Sequence, residues 1–192
     1  MQEKTRRTNA QRSDETRTAL IKAARKLFIS NGFADTSTPQ IVKAAEVTRG
    51  ALYHHFRDKA DLFRAVLESE AKAVATQIEA ADLPDSPLEA MLVGAKAYFA
   101  AMAKPGRAQL LLIEAPVALP PEDLARIERL NGGDELRLGL MALSEQGEPF
   151  PVDAMTTLLS ALFDTGALAI TRGASSKDIS EAMERLIKGL AP

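Results

Sequence analysis

The chain has 192 residues and a mass of 20.7 kDa, 46% of its residues are hydrophobic, and it contains no cysteine. That suits one ordinary domain or two small ones, and it excludes a disordered chain, a disulfide scaffold, a thiolate metal site and a cysteine nucleophile. The net charge of −2 hides an asymmetry: residues 1–70 carry 13 Lys and Arg against 9 Asp and Glu, whereas residues 71–192 carry 11 against 17. One basic end on an acidic body is how a protein shows a polyanion a single face. No run of 18 uninterrupted apolar residues occurs and the polar N-terminus has no apolar stretch behind it, so neither a membrane span nor a secretion signal is expected. The expected location is cytoplasmic.

Residues 1–12, with Lys4, Arg6, Arg7 and Arg12 and no apolar stripe, read as a flexible basic arm that either follows a minor groove or solubilises the end. Leu20, Ala24, Leu27 and Phe28 form one apolar stripe, which predicts a first helix over 13–31 ending at Asn31-Gly32. Ser37, Pro39 and Gln40 carry the signature of a helix start, with Ile41, Ala44 and Ala45 as its inward face. Glu46-Val47-Thr48 is then a turn, and Thr48 caps a third short helix through Arg49 to about His55, closed by Phe56-Arg57. Asp58 and Asp61 start a long fourth helix to about Ala80, and Ser86, Pro87 and Glu89 start a fifth that ends before Lys104. Further helices are predicted over 107–115, stopping at Pro116, over 122–130, stopping at Asn131-Gly132-Gly133, and onward to about Gln146. The last two, over 152–171 and beyond a Ser175/Asp178 cap, are the most apolar, and Gly166 and Ala169 permit close approach. No strand is expected. The chain reads as all-α with about nine helices: an arm over 1–12, a three-helix head over 13–58, and a helical body over 59–192.

Two short helices joined by a three-residue turn, on the basic end, suggest a helix-turn-helix, whose second helix enters the major groove. Residues 18–67 resemble the TetR family of bacterial transcriptional regulators. The resemblance lies in Ile21-Lys22-Ala23-Ala24-Arg25-Lys26-Leu27-Phe28, Asn31-Gly32-Phe33, Thr36-Ser37, Ile41, Ala44-Ala45, the run from Val47-Thr48-Arg49-Gly50-Ala51-Leu52-Tyr53 to His54-His55-Phe56, then Lys59 and Leu62. It covers about 50 residues without a gap, and the helical remainder is similar to the family's effector-binding and dimerisation region. The resemblance implies a homodimer on a pseudo-palindromic double-stranded DNA operator, most simply a repressor, released when a small apolar or amphipathic effector tilts the fourth helix. No glycine-rich phosphate loop, metal-binding His/Glu spacing or nucleophile elbow occurs in the sequence, so no enzyme activity, cofactor or metal is expected. Carried over residue by residue, Arg49, Tyr53 and His54 lie where family members touch bases or adjacent phosphates, and Ser37, Thr38, Thr48, Tyr53 and Lys59 lie near backbone-contact positions. Three positions depart from the family pattern. Glu46 stands where glycine is usual, which asks a non-glycine for positive φ at a cost of about 1 kcal/mol. Val42-Lys43 replaces a small residue, and Pro39 replaces a type that often reaches phosphate.

Several roles stay open on the residues alone. Arg49 reads a guanine or merely holds a phosphate, Tyr53 packs on the head or offers its hydroxyl, and His55 packs or lies at the surface. Adjacent helical residues point about 100° apart, so His54 and His55 do not make a metal pair. In the body, Tyr98, Glu114 and Asp164 are polar groups amid apolar helices and the candidates for a ligand pocket, although either acid could instead pair with a neighbour or start a turn. Arg107 and Arg126 are expected at the surface. Leu158, Leu162, Phe163, Ile170, Met183, Leu186 and Ile187 are expected to pair the last two helices with those of a second copy. Two alternatives stand beside the ligand-responsive regulator: a dimeric regulator without an effector, and a structural DNA binder without sequence choice.

Overall fold

A computed structural model describes residues 8–190, which are all-helical: ten α-helical and two π-helical segments, and no strand among the described residues. Two compact units divide between Val66 and Leu67, inside the fourth helix.

In the first unit, α1 (Asn9–Asp35) begins four residues ahead of the expected start. The reason is a capping box: Thr8 N–H donates to Gln11 Oε1 at 2.8 Å, and Gln11 N–H donates to Thr8 Oγ1 at 3.2 Å. Arg12 therefore belongs to the helix rather than to an arm, while Lys4, Arg6 and Arg7 lie outside the described residues. The α1 backbone breaks at Gly32, with φ 80° and ψ 166°, as the Asn31-Gly32 pair predicts. Buried Thr36 ties that break by donating to Gly32 O at 2.7 Å. Helix α2 (Thr38–Ala44) starts where Gln40 Oε1 accepts from both the Ser37 amide and the Ser37 hydroxyl, each at 2.8 Å. Only Ile41 of its expected inward face is buried; Ala44 is exposed. Helix α3 (Arg49–His55) starts where Thr48 Oγ1 accepts from Ala51 N–H at 3.1 Å. Leu20, Phe28, Ile41, Leu52, Leu62 and Phe63 are fully buried, and Phe28, Phe33 and Phe63 pack ring to ring with centroids 4.8–5.8 Å apart.

Helix α4 (Lys59–Glu79) is one uninterrupted helix that supplies residues to both units. In the second unit, α5 (Pro87–Met102) packs against α8 (Asp134–Gln146), α9 (Val152–Thr171) and α10 (Ser176–Lys188). A Cβ on Gly166 would lie 3.0 Å from both Ile179 and Phe99, so the absence of a side chain there lets α9 approach α5 and α10. The expected stop at Pro116 does not occur. Residues Gln109–Glu114 form a π-helical turn, with Ala115 N–H donating to Leu110 O, and α6 (Ala115–Ala118) continues from it. The wider turn lets proline, which has no N–H to give, enter as a first-turn residue of a fresh segment. Helix α7 (Pro121–Glu128) then runs into a second π-helical turn, Arg129–Gly133, where Asn131 and Gly132 leave helical geometry.

Arg107 is a correction to the expected surface position. It is 3% exposed, and its Nε donates to Glu70 Oε2 at 2.9 Å while Nη1 donates to Ala101 O at 2.6 Å. A charge of this kind is tolerated in a core only when its partner and its remaining hydrogen bonds come with it. Arg126 is exposed and pairs with Glu68 at 2.8 Å. Helix α9 is by length and composition apolar enough to cross a membrane, although its sequence has no unbroken apolar run. It is instead laid against α5, α8 and α10.

Candidate functional site

Helical geometry sorts the seven residues of α3 into two arcs. Leu52 is buried, with Ala51 and His55 half-buried beside it. Arg49, Gly50, Tyr53 and His54 are all exposed and share the opposite arc. Gly50 keeps that arc flat: a Cβ there would meet nothing nearer than Thr48 Oγ1 at 3.9 Å. The Arg49 guanidinium lies 5.5 Å from the centre of the Tyr53 ring. Hydrogen bonds from the side chains of Thr38 and Arg49 hold the Tyr53 phenol below its ordinary pKa. The exposed phenol hydroxyl is a donor that a phosphate could accept from.

The remaining head residues have divided uses. Thr48 accepts through its oxygen as a cap and still has an O–H to give. The Ser37 proton is already taken by Gln40. Lys59 donates to Phe33 O at 2.7 Å and Ala34 O at 3.1 Å and sits 4.4 Å from the Phe33 ring centre, so it clasps the end of α1 to the start of α4. That leaves one ammonium proton for phosphate. His54 and His55 meet edge to face with centroids 5.1 Å apart, and burial, followed by the His54 charge, lowers the His55 pKa. Glu46 has φ 56°, the sole positive-φ non-glycine among the described residues, so the turn geometry survives without the usual glycine.

In the second unit a cavity of about 610 Å³ opens among α4, α5, α8 and α9 and the two π-helical turns. Its wall is mostly aliphatic, and Tyr98 and Asp164 stand in it, Tyr98 Oη donating to Asp164 Oδ1 at 2.7 Å. Burial, with the nearby carboxylate second, pushes the Tyr98 phenol well up; burial also raises the Asp164 carboxyl despite the Tyr98 hydrogen bond. Glu114 is half-buried and not part of the wall; Leu111 and Leu112, from the same π-helical turn, are. The wall also includes Asn131 and Glu128, which sequence reasoning did not single out, Asn131 having been read only as part of a helix stop.

The expected dimer residues divide in the same way. Leu158, Leu162 and Leu186 are 62%, 43% and 49% exposed, an apolar stripe along α9 and α10. Phe163, Met183 and Ile187 are buried inside the protomer and cannot serve a second copy, and Ile170 is half-buried. The reason is the width of the apolar face: on α10 successive residues Leu186 and Ile187 look out and in respectively.

Residues 20–66 match the bacterial regulatory proteins of the tetR family, and residues 88–190 match the tetracyclin repressor-like C-terminal domain. The HTH-type transcriptional regulator AcrR of Shigella flexneri is 41% identical over 87 residues, which is 44% of this chain and 40% of that protein. The chain thus spans less than half the length of this curated relative. A TetR-family transcriptional regulator from Pectobacterium atrosepticum shares the fold with a TM-score of 0.67 and 26% identity, over 96% of this chain and 95% of that one. Another, from Streptomyces coelicolor, gives 0.72 at 22% identity over 92% and 94%. The head and more than half of the chain's length thus match together: the protein belongs to the TetR family of bacterial regulatory proteins.

Proposed function

We propose that the protein is a cytoplasmic, homodimeric, sequence-specific DNA-binding regulator, acting as a repressor that a small apolar or amphipathic ligand releases. The observation that carries this reading is the exposed arc of α3, where Arg49 lies against the Tyr53 ring beside Gly50 and His54. Arg49 donates to a guanine edge, a contact worth about 1–3 kcal/mol of discrimination, and His54 shares the groove-facing arc. Tyr53, Thr48 and the free proton of Lys59 hold phosphates, with Ser37 and Thr38 at the start of α2 beside them. Two copies pair through the stripe of Leu158, Leu162 and Leu186, which sets the two α3 helices about one turn of DNA apart, roughly 34–36 Å.

The cavity in the second unit takes the ligand. Ile78 of α4 is in its wall, and the same uninterrupted helix begins at Lys59 in the head. Occupancy that favours a different α4 position changes the spacing of the two heads, and the shift is limited by the ligand's differential affinity for the two states. The reading is tested by fluorescence anisotropy with the duplex upstream of the protein's own gene, at about 150 mM salt with excess random DNA. Binding that resists competitor by about 10³ or more, with two protomers per palindrome, supports it; equal binding to random DNA overturns it.

A further inference from the structure

The cavity has a wall of one sign. Glu128, Glu135 and Asp164 contribute to it, and no Lys, Arg or His does. Its polar end also presents acceptors. Tyr98 spends its proton on Asp164, with the Asn131 side chain nearby in the same wall. Asn131 Oδ1 is buried with no hydrogen-bond partner, and an ionised Asp164 keeps further lone pairs after the Tyr98 bond. Beside them the Tyr98 and Phe163 rings stand edge to face, with centroids 5.3 Å apart, among aliphatic side chains.

From this geometry we infer that the effector is an amphipathic cation, a protonated amine on an apolar body, whose N–H groups bond to Asp164 and Asn131. The inference rests on the cavity being the effector site. A carboxylate or phosphate would meet three acids and no basic side chain, with only neutral groups such as the Ser160 hydroxyl and the Asn131 amide to donate to it. A neutral alcohol would satisfy one acceptor and leave the half-buried Asp164 charge uncompensated. An ammonium supplies both the missing donors and the missing charge, and the aromatic faces add cation–π attraction. Burial already raises the Asp164 carboxyl, so a cation there relieves a charge that the protomer itself leaves without a basic partner in the wall.

The test is calorimetry on the full-length protein without DNA at neutral pH, with decylamine, decanol and decanoate as probes of equal chain length. Decylamine should bind about tenfold or more tightly than decanol, with decanoate weakest. Asp164→Asn should erase the preference for decylamine over decanol, and decanol binding that persists in the variant reports that the cavity is intact. Glu128→Gln, at an exposed rim position, should reduce the preference by about two- to threefold. Decanol or decanoate binding as well as decylamine overturns the cation and leaves the effector-site reading standing. Binding of none of the three overturns both. A full preference retained in Asp164→Asn overturns the assignment to that carboxylate.

Discussion

The polar contacts that start helices in the head are local, whereas the buried polar pairs of the body are long-range. Thr8 with Gln11, Ser37 with Gln40, and Thr48 with Ala51 each close a helix end across three residues. In the body, Glu70 finds Arg107 across 37 residues and Tyr98 finds Asp164 across 66. Two of the helix breaks there are made by π-helical turns, at Gln109–Glu114 and Arg129–Gly133, although α10 still starts on a Ser175 cap. The helix ends of the head are thus set largely by short-range rules, while the body spends several of its polar residues on making an interior, part of which is a cavity. A family can keep one and vary the other.

That contrast can be broken at neighbouring residues of α10. Ile187→Glu puts a charge into the protomer core and should destabilise by about 4 kcal/mol or more, seen as loss of the cooperative urea transition. Leu186→Glu, one position along, should keep the fold and produce monomers by light scattering; equal destabilisation in the two would erase the distinction between core and interface. Next in size is Arg107→Ala, which takes from the buried Glu70 carboxylate its 2.9 Å partner, leaves the longer Lys104 pair, and should cost about 3 kcal/mol in chemical denaturation. A cost under about 1 kcal/mol would mean that the pair is not buried. In the head, Glu46→Gly removes the positive-φ strain and should stabilise by about 1 kcal/mol at unchanged DNA specificity. The gain shrinks to the extent that glycine also loosens the unfolded chain.

The smallest effect belongs to Asp164 and depends on pH. Its carboxyl is raised in the folded protein, so the native state holds its proton more tightly than the unfolded chain does. Stability from this group is therefore present at low pH and declines as pH rises from the ordinary Asp value through the raised one. At neutral pH Asp164→Asn, which keeps an acceptor for Tyr98, should raise the Tm by roughly 1–3 °C, and the gain should vanish in acid. A lower Tm at neutral pH would mean that the charge is compensated within the protomer.

The head was legible because its signals are caps, stops and a short apolar stripe, all read within one turn of helix. The ends of α3 follow from Thr48 and Phe56 in that way. Even so, spacing could not tell that the Lys59 ammonium is shared with two carbonyls, because its partners lie 25 and 26 residues away. In the body, Tyr98 and Asp164 stood out as polar groups in apolar runs and do meet. Glu114 stood out by the same rule and faces elsewhere, since a π-helical turn rotates its neighbours off the α-helical period. Asn131 carries the signal of a helix stop, and nothing in its local sequence signals that it joins Tyr98 in the cavity wall.

The most direct measurement of the central claim is the ratio of operator to random-duplex affinity for the wild type and Arg49→Ala, at the same salt. If α3 reads bases, the ratio falls by about tenfold or more while random binding weakens only slightly. An equal loss on both duplexes, leaving the ratio unchanged, would contradict base reading by this arc and return Arg49 to a phosphate contact.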